Sequence, residues 1–157
     1  MTGNWIILTR NGQEILVDEQ DYEMLSRYRW HVDAGGYAGT SGWDGPYKRE
    51  RMHRVILGLT KDDDIFVDHI NRNRTDNRRE NLRLCSNAEN VRNRGKRINN
   101  TSGYKGVSIT KYGVWVAHIR ANSKSIYLGR FSTPQEAYMA YCAAAQKLHG
   151  EFANFGE

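Results

Sequence analysis

The stretch from residue 65 to residue 95 constrains the fold of this chain more than any other part of it. Its pattern predicts four elements in order: a β-branched strand over 65–70, a polar loop over 71–81, a brief strand over 82–85 and a helix over 87–94. Ser86 and Glu89 have the spacing of a capping box, and Gly95 suits a helix end. We therefore expect a hairpin followed closely by a short helix.

A second pattern follows the polar, basic connector at residues 96–102. Strands are predicted over 104–109, 114–121 and 125–131, with short polar turns between them, as in a three-stranded antiparallel meander. Residues 133–136, Thr-Pro-Gln-Glu, supply an N-cap, a proline at the first helical position and a capping glutamate. The helical stripe that we expect to face the sheet consists of Ala137, Tyr141, Ala144 and Leu148.

The first half of the chain is rich in short elements. Apolar runs over 4–9 and 14–17 flank Asn11-Gly12, which predicts a hairpin, and Asp18 or Asp21 can cap a following helix. Glycine-rich residues 31–50 read as loops around short strands. The whole pattern predicts an α+β protein with a first domain over 1–95 that includes a β-rich N-terminal segment, a linker over 96–102 and a sheet domain over 103–157.

Charge is distributed unevenly along the chain. The net charge is +5, yet residues 1–64 hold 8 basic and 11 acidic side chains, whereas residues 90–135 hold 9 basic and no acidic ones. Such asymmetry is typical of a surface that binds a polyanion, although a solvated basic face is the simpler alternative. The chain has no apolar run long enough to cross a membrane and no secretory signal, so we expect no membrane partner and a cytoplasmic protein.

The two cysteines do not have the spacing of a zinc site, so any metal should be held by oxygen and nitrogen atoms. Asp68 and His69 offer a carboxylate beside an imidazole whose pKa lies near physiological pH. Asn90 can add a neutral oxygen, and few protein ligands plus water suit Mg²⁺. Adjacent strand residues point to opposite faces, so a shared site requires distortion at the strand end. A structural histidine and turn-forming or capping asparagines are the alternatives.

The motifs VDHI, DNR, NLR and EN occur here in one order and resemble those of the HNH endonucleases of the phage and homing type, over about residues 52–95. The resemblance implies a ββα-metal core in which Asp68 and Asn90 bind the metal, His69 is the general base and Asn81 holds its imidazole. The last position of the family motif is either histidine or asparagine, and in this chain it is Asn90. The resemblance therefore implies a metal that is held more weakly than by a histidine. Activity should then depend on added divalent metal, Mg²⁺ first and Mn²⁺ as the alternative.

Basic side chains surround this motif and continue into the connector. We expect them to bind DNA phosphates, with a solvated loop balanced by Asp76 and Glu80 as the alternative. For His53, a structural role or a phosphate contact is favoured over catalysis. The predicted phosphate-binding residues are Arg72, Arg74, Arg78, Arg79, Arg83, Arg92, Arg94, Lys96 and Arg97.

Residues 103–155 resemble the DNA-binding domain of plant ethylene-response factors through YKGV, GVWVAHIR, YLGRF, the TPQEAYMAY helix and the closing EFANF. In that family the sheet, rather than the helix, lies in the major groove. Along the second strand, Trp115, Ala117 and Ile119 should pack on the helix while Val116, His118 and Arg120 face outward. The matching DNA-facing positions are Lys105, Ser108, Thr110, His118, Arg120, Ser125 and Tyr127. Several family arginines are replaced here by serine or threonine, so the plant base preference does not transfer.

These features together predict a metal-dependent HNH endonuclease that hydrolyses phosphodiester bonds in double-stranded DNA and is positioned by its C-terminal domain. A single site cuts one strand per binding event, so we expect nicking by a monomer in a bacterium or a phage-infected host cell. The alternatives are a non-catalytic DNA-binding regulator with a vestigial nuclease fold and an enzyme that acts on RNA.

Overall fold

The computed structural model describes residues 5–40, 48–60 and 62–156. The first residue of the predicted strand at 4–9 and residues 41–47 of the predicted glycine-rich loops lie outside the described residues. The chain divides into two compact units, Met1–Ser86 and Asn87–Glu157. Each unit has its own hydrophobic core, as two small domains require.

The described residues of the first unit form three antiparallel hairpins and two short helices. The hairpins pair β1 with β2, β3 with β4, and β5 with β6. Their order along the chain is β1 (Trp5–Leu8), β2 (Glu14–Val17), α1 (Glu19–Leu25), β3 (Trp30–Val32), β4 (Ala38–Thr40), α2 (Met52–Ile56), β5 (Phe66–His69), a 3₁₀ turn (Arg79–Asn81) and β6 (Leu82–Cys85).

The N-terminal hairpin supports the polar loop between β5 and β6. The backbone N–H of Leu16 donates to the carbonyl of Thr75, and the N–H of Asn77 donates back to Leu16. Ile15 and Val17, which flank Leu16 in β2, are fully buried in the core of the unit together with Leu25 and Met52. Because β2 is fixed by this core, its two hydrogen bonds to the loop hold residues 75–77 against the hairpin.

Acidic residues around α1 also bind this loop. Asp18 occupies the N-cap position, as predicted, but its side chain makes no capping hydrogen bond and accepts the backbone N–H of Arg79 instead, at 2.7 Å. Asp21 is only 5% exposed, and both of its carboxylate oxygens accept from the Arg79 guanidinium at 2.8 Å. The helix therefore begins where the sequence predicts, while its predicted capping carboxylates make contacts some 60 residues away in the chain.

The second unit confirms the predicted three-stranded antiparallel sheet packed on one helix. Its strand order is β7-β8-β9, and Thr133 and Glu136 form the predicted capping box at the start of the long helix. No helix among the described residues is long and apolar enough to cross a membrane. The elements are α3 (Asn87–Arg92), β7 (Val107–Ile109), β8 (Trp115–Ala121), β9 (Lys124–Phe131), α4 (Pro134–His149) and a closing 3₁₀ turn (Gly150–Phe152).

The buried stripe of α4 differs in part from the predicted one. Ala137 and Tyr141 are buried as expected, but the stripe continues through Ala145 and His149, while Leu148 is 39% exposed. An α-helix has 3.6 residues per turn, so residues spaced by four lie on a stripe that moves slowly around the helix axis. The buried residues of α4 follow this stripe, which contains Ala145 rather than Ala144. His149 Nε2 lies 2.9 Å from the Arg120 carbonyl, to which its N–H donates, and this bond allows a polar residue in that stripe.

The division between the units falls one helix before the predicted linker at residues 96–102. Lys105 of the second unit bonds to the C-terminal end of α3. Its ammonium donates to the carbonyls of Arg92 and Arg94 at 3.0 and 2.6 Å. The carbonyl end of a short helix carries partial negative charge, which a lysine ammonium stabilises. The helix α3 thus belongs to the second unit in the structure.

Candidate active site

The β5–β6 hairpin places Asp68 and His69 side by side at the end of β5, where both are about 95% buried. Asp68 lies opposite Arg83 and His69 lies opposite Leu82. The Arg83 Nε and Nη2 atoms donate to Asp68 Oδ2 at 2.9 and 2.7 Å. Asp68 therefore has a charged partner on its own face of the hairpin, and His69 points to the other face.

Three ring or amide groups of the described residues lie around the His69 imidazole. Its Nε2 lies 3.4 Å from Asn77 Oδ1, and its ring centroid lies 5.1 Å from that of His53 and 5.9 Å from that of Tyr37. Burial lowers the pKa of His69, and the Asn77 hydrogen bond and the charge of Asp68 oppose this shift only in part. His69 is consequently neutral near pH 7, the form that accepts a proton from water.

The contact with Asn77 favours one of the two neutral tautomers of His69. An amide oxygen accepts, so the imidazole N–H is at Nε2 when it donates to Asn77 Oδ1. The lone pair of the neutral ring is then on Nδ1, which is the atom able to act as a base.

Asn81 organises the loop between β5 and β6. Its Oδ1 accepts the backbone N–H of Asn71 at 2.9 Å, and its Nδ2 donates to the Asp76 carbonyl at 2.7 Å. Asp76 is itself 2% exposed, and hydrogen bonds from Arg78 hold the pKa of its carboxyl below the usual range. Both polar atoms of the Asn81 amide thus bind the loop backbone, and a direct bond from Asn81 to His69 stays a prediction.

His53, in α2, packs its ring edge against the His69 ring and is 4% exposed. Burial first, and then the charges of His69 and Arg51, lower the pKa of His53 to about 3. Its Nδ1 atom is buried without a hydrogen bond to any described residue. His53 is therefore a neutral ring packed against His69, and the structural role or phosphate contact expected from sequence stays a prediction.

The donor set fits a metal ion only in part. Among the described residues, no group of three His, Cys, Asp or Glu side chains is arranged to hold a metal ion. Asp68 supplies a hard carboxylate, but its Oδ2 is already bonded to Arg83. Asn90 lies on α3, in the second unit. Its convergence with Asp68 on one ion stays a prediction.

Several of the predicted phosphate-binding arginines make ion pairs in the first unit. Arg83 pairs with Asp68, Arg79 with Asp21, and Arg78 with both Asp76 and Glu80. Arg74 and Arg72 are exposed, Arg72 with a positive φ of 65° in the loop. The remaining predicted basic residues lie in the second unit, where Arg92 is half-buried and Arg94, Lys96 and Arg97 are exposed.

In the second unit, register places most of the predicted DNA-facing positions on one sheet face. Directly paired residues on neighbouring strands point to the same side. His118 pairs with Tyr127 and Arg120 with Ser125. Val116 pairs with Ser108 on one side and Arg130 on the other, so it shares this face. Val116 is nevertheless buried, because it lies in the central strand between those neighbours.

Three residues of these sites were not identified from sequence. Asn77 lies in the DNR motif, which drew attention to the loop but not to this side chain. Tyr37 lies in the glycine-rich region, where no motif indicates a ring beside His69. Arg130 is exposed on the sheet face, and the pairing register of β8 with β9, including a bulge at Ala117/His118, is needed to place it there.

Comparison with known proteins matches both halves of the chain. The model of the HNH endonuclease family matches residues 51–92. An uncharacterised HNH endonuclease of Acanthamoeba polyphaga mimivirus is 30% identical over 148 residues, which cover 90% of this chain and 74% of the viral protein.

The model of the AP2 domain matches residues 102–151. Dehydration-responsive element-binding protein 2D of Arabidopsis thaliana is 41% identical over 66 residues, and an ethylene-responsive transcription factor of the same plant is 45% identical over 58 residues. These matches cover 41% and 34% of this chain and 32% of each plant protein. No solved structure matches the chain significantly.

Proposed function

Because this chain belongs to the HNH endonucleases and carries an AP2 domain after the nuclease motif, we propose that it is a metal-dependent enzyme that nicks double-stranded DNA. The observation that supports this most is the burial of the His69 imidazole at the end of β5, next to Asp68 in the chain, because burial lowers the His69 pKa and favours the neutral ring. The AP2 sheet face supplies position and affinity, and its link to the nuclease raises the local concentration of the nuclease at its target.

In this proposal the His69 imidazole takes the proton from the attacking water, and its contact with Asn77 helps to orient the ring. Asp68 and Asn90 are the residues that would hold the divalent ion. When bound, Mg²⁺ or Mn²⁺ supplies positive charge that offsets the negative charge developing on the phosphate. Arg83 donates to Asp68 Oδ2, so a bound ion would share this carboxylate with Arg83.

Nicking of a supercoiled plasmid in the presence of Mg²⁺ tests the proposal. The wild-type protein should convert supercoiled DNA to the open circular form, and His69→Ala should reduce the rate by at least about 100-fold, since general base catalysis contributes on that scale. His31→Ala is the matched control, because His31 is exposed on β3. Equal conversion by wild type and His69→Ala would assign the cutting to a contaminant.

No conversion by any of the three proteins, with DNA binding retained, would favour a DNA-binding regulator with a vestigial nuclease fold. A competition between duplex DNA and RNA in the same assay distinguishes the third possibility, an RNA substrate.

A further inference from the structure

The β3–β4 hairpin brings Tyr37 into contact with two arginines and with the rings around His69. The guanidinium carbons of Arg51 and Arg74 lie 4.1 and 4.5 Å from the centroid of the Tyr37 ring. The same ring lies 5.6 Å from the His53 ring and 5.9 Å from the His69 ring. One side chain from the N-terminal part of the chain thus connects two cations to the candidate general base.

The hairpin turn is built to hold Tyr37 in this place. The Tyr37 N–H donates to Asp33 Oδ1 at 3.0 Å, while the Asp33 N–H donates to the Tyr37 carbonyl at 2.9 Å. Gly36 adopts a φ of +80°, which a residue with a side chain rarely accepts. The two hydrogen bonds close the turn and hold the Tyr37 backbone in place, and from there the ring reaches the two arginines.

Both arginines keep charge and donors for a ligand. Arg74 is exposed and uses one nitrogen to donate to the Gly35 carbonyl of the same turn. The Arg51 side chain is 47% exposed, with one nitrogen 3.5 Å from Asp33 Oδ2. A guanidinium has five N–H donors, and stacking on an aromatic ring leaves its edge available to oxygen atoms.

We propose that Arg51, Tyr37 and Arg74 form a phosphodiester-binding subsite beside His69, in which Tyr37 is the positioning residue for the two guanidinium groups. This inference rests on the proposed nuclease function for the identity of the ligand, a phosphate of the strand being cut. The distances through the Tyr37 ring place the Arg74 guanidinium at most about 10 Å from the His69 ring, which is up to about three phosphate steps of 3.4 Å along one strand. The subsite thus holds a phosphate close to the scissile one.

The Asp33 carboxylate competes with a phosphate for the Arg51 guanidinium. Burial tends to raise the pKa of Asp33, but the Tyr37 hydrogen bond and the charge of Arg51 outweigh it, so its pKa is lowered and it stays ionised at neutral pH. The contact of 3.5 Å to Arg51 is long and partly exposed, so it is a weak ion pair that a phosphate can displace. Asp33 therefore orients Arg51 before the nucleic acid arrives.

The salt dependence of DNA binding by the full chain tests the subsite without depending on cleavage. Fluorescence anisotropy of a labelled duplex, without divalent metal, yields the slope of log affinity against log salt for each variant. That slope is negative, and each lost phosphate contact reduces its magnitude by about 0.9. Tyr37→Leu should reduce this magnitude by roughly 1 to 2, Arg74→Ala and Arg51→Ala by roughly 1 each, and Tyr37→Phe should leave it unchanged, because the ring is what contacts the arginines.

Tyr22→Leu is the matched control, since Tyr22 is a half-buried tyrosine that packs on Trp5 and on no arginine among the described contacts. The double variant Tyr37→Leu/Arg74→Ala should lose less than the sum of its parts, because the ring acts through the cation. In single-turnover nicking, Tyr37→Leu should cost about tenfold through misplacement of the phosphate, and Tyr37→Phe less than twofold.

The subsite would be overturned if the salt dependence of Tyr37→Leu were as steep as that of wild type. It would also be overturned if the salt dependence of Tyr37→Phe were as shallow as that of Tyr37→Leu. Should Tyr37→Leu fail to fold, the two exposed arginine variants decide the question, and wild-type slopes for both overturn it. If the variants show these slope changes but the wild-type protein does not nick DNA, the proposed nuclease function is refuted and the anion subsite stands.

Discussion

Replacement of Arg79 by alanine should destabilise the first unit, although Arg79 is one of the arginines that the sequence predicts to bind DNA. The substitution removes both hydrogen bonds that the Asp21 carboxylate accepts and a further bond of 2.9 Å to the Ile56 carbonyl. Asp21 is left as a buried carboxylate, since its side chain is 6% exposed. The damage is therefore to α1, α2 and the loop before β6 together.

The expected loss of unfolding free energy lies between two limits. Breaking a fully buried ion pair by removing one partner costs about 3–5 kcal/mol, whereas an exposed pair contributes about 0.2–1 kcal/mol. The Arg79 side chain is 43% exposed, so water can enter and solvate Asp21 in the variant. We expect a loss of about 2 kcal/mol for Arg79→Ala, and most of it to be recovered in Arg79→Ala/Asp21→Asn, where no charge stays buried.

Hydrogen exchange measured by mass spectrometry suits this test, because it reports peptides of residues 1–86 separately from those of the second unit. Arg27→Ala is the control, since Arg27 forms an exposed i,i+4 pair with Glu23 on α1. Two results would refute the reasoning: a change below about 0.5 kcal/mol for Arg79→Ala, or no recovery when Asp21 is also neutralised.

Three further predictions concern local structure and pH. Gly106→Ala should destabilise the second unit by about 3 kcal/mol or more, because its Cβ would lie 2.1 Å from the Tyr141 ring; Gly113→Ala, with a similar φ but nothing within 4 Å, should cost only about 1–2 kcal/mol in thermal unfolding. Thr133→Ala removes one half of the capping box and should cost about 1 kcal/mol by the same measurement. Burial lowers the pKa of His53 to about 3 in the folded protein. Between pH 6.5 and pH 3 the unfolded chain therefore binds a proton at His53 more tightly than the folded protein does. The free energy of unfolding of residues 1–86 should therefore decrease as pH falls below about 6.5, by up to about 1.4 kcal/mol for each pH unit. His53→Gln should flatten that dependence, and an unchanged slope in hydrogen exchange would contradict the assignment.

Local patterns predicted the elements of the second unit well because its contacts are close in sequence. The meander joins consecutive strands through short turns, and residues 133–136 carry their own capping signals, so strand pairing and the helix start are specified by segments that are neighbours in sequence. The buried stripe of α4 was predicted correctly only at Ala137 and Tyr141, because the drift of the helical face depends on the sheet against which it packs.

The candidate site shows the opposite case. The VDHI and NLR motifs identify β5 and β6 and place Asp68 and His69 at the end of the hairpin. The groups that surround His69 come from residues 37, 53 and 77, on a turn, a helix and a loop that no local pattern brings together. Charge alone also cannot tell which arginine meets DNA and which meets a buried aspartate.

The amino-acid sequence by itself determined the order of the elements, the polar loop that connects β5 with β6 and the residue types able to do hydrolytic chemistry, because hydrophobic period, caps and motifs are local properties of the chain. Tertiary structure decided the partners of those residues: Asp21 for Arg79, Asp68 for Arg83, and Tyr37 for Arg74. The physical reason is that a charge or ring acquires its role from what is buried beside it, and those neighbours meet only when distant segments share one core.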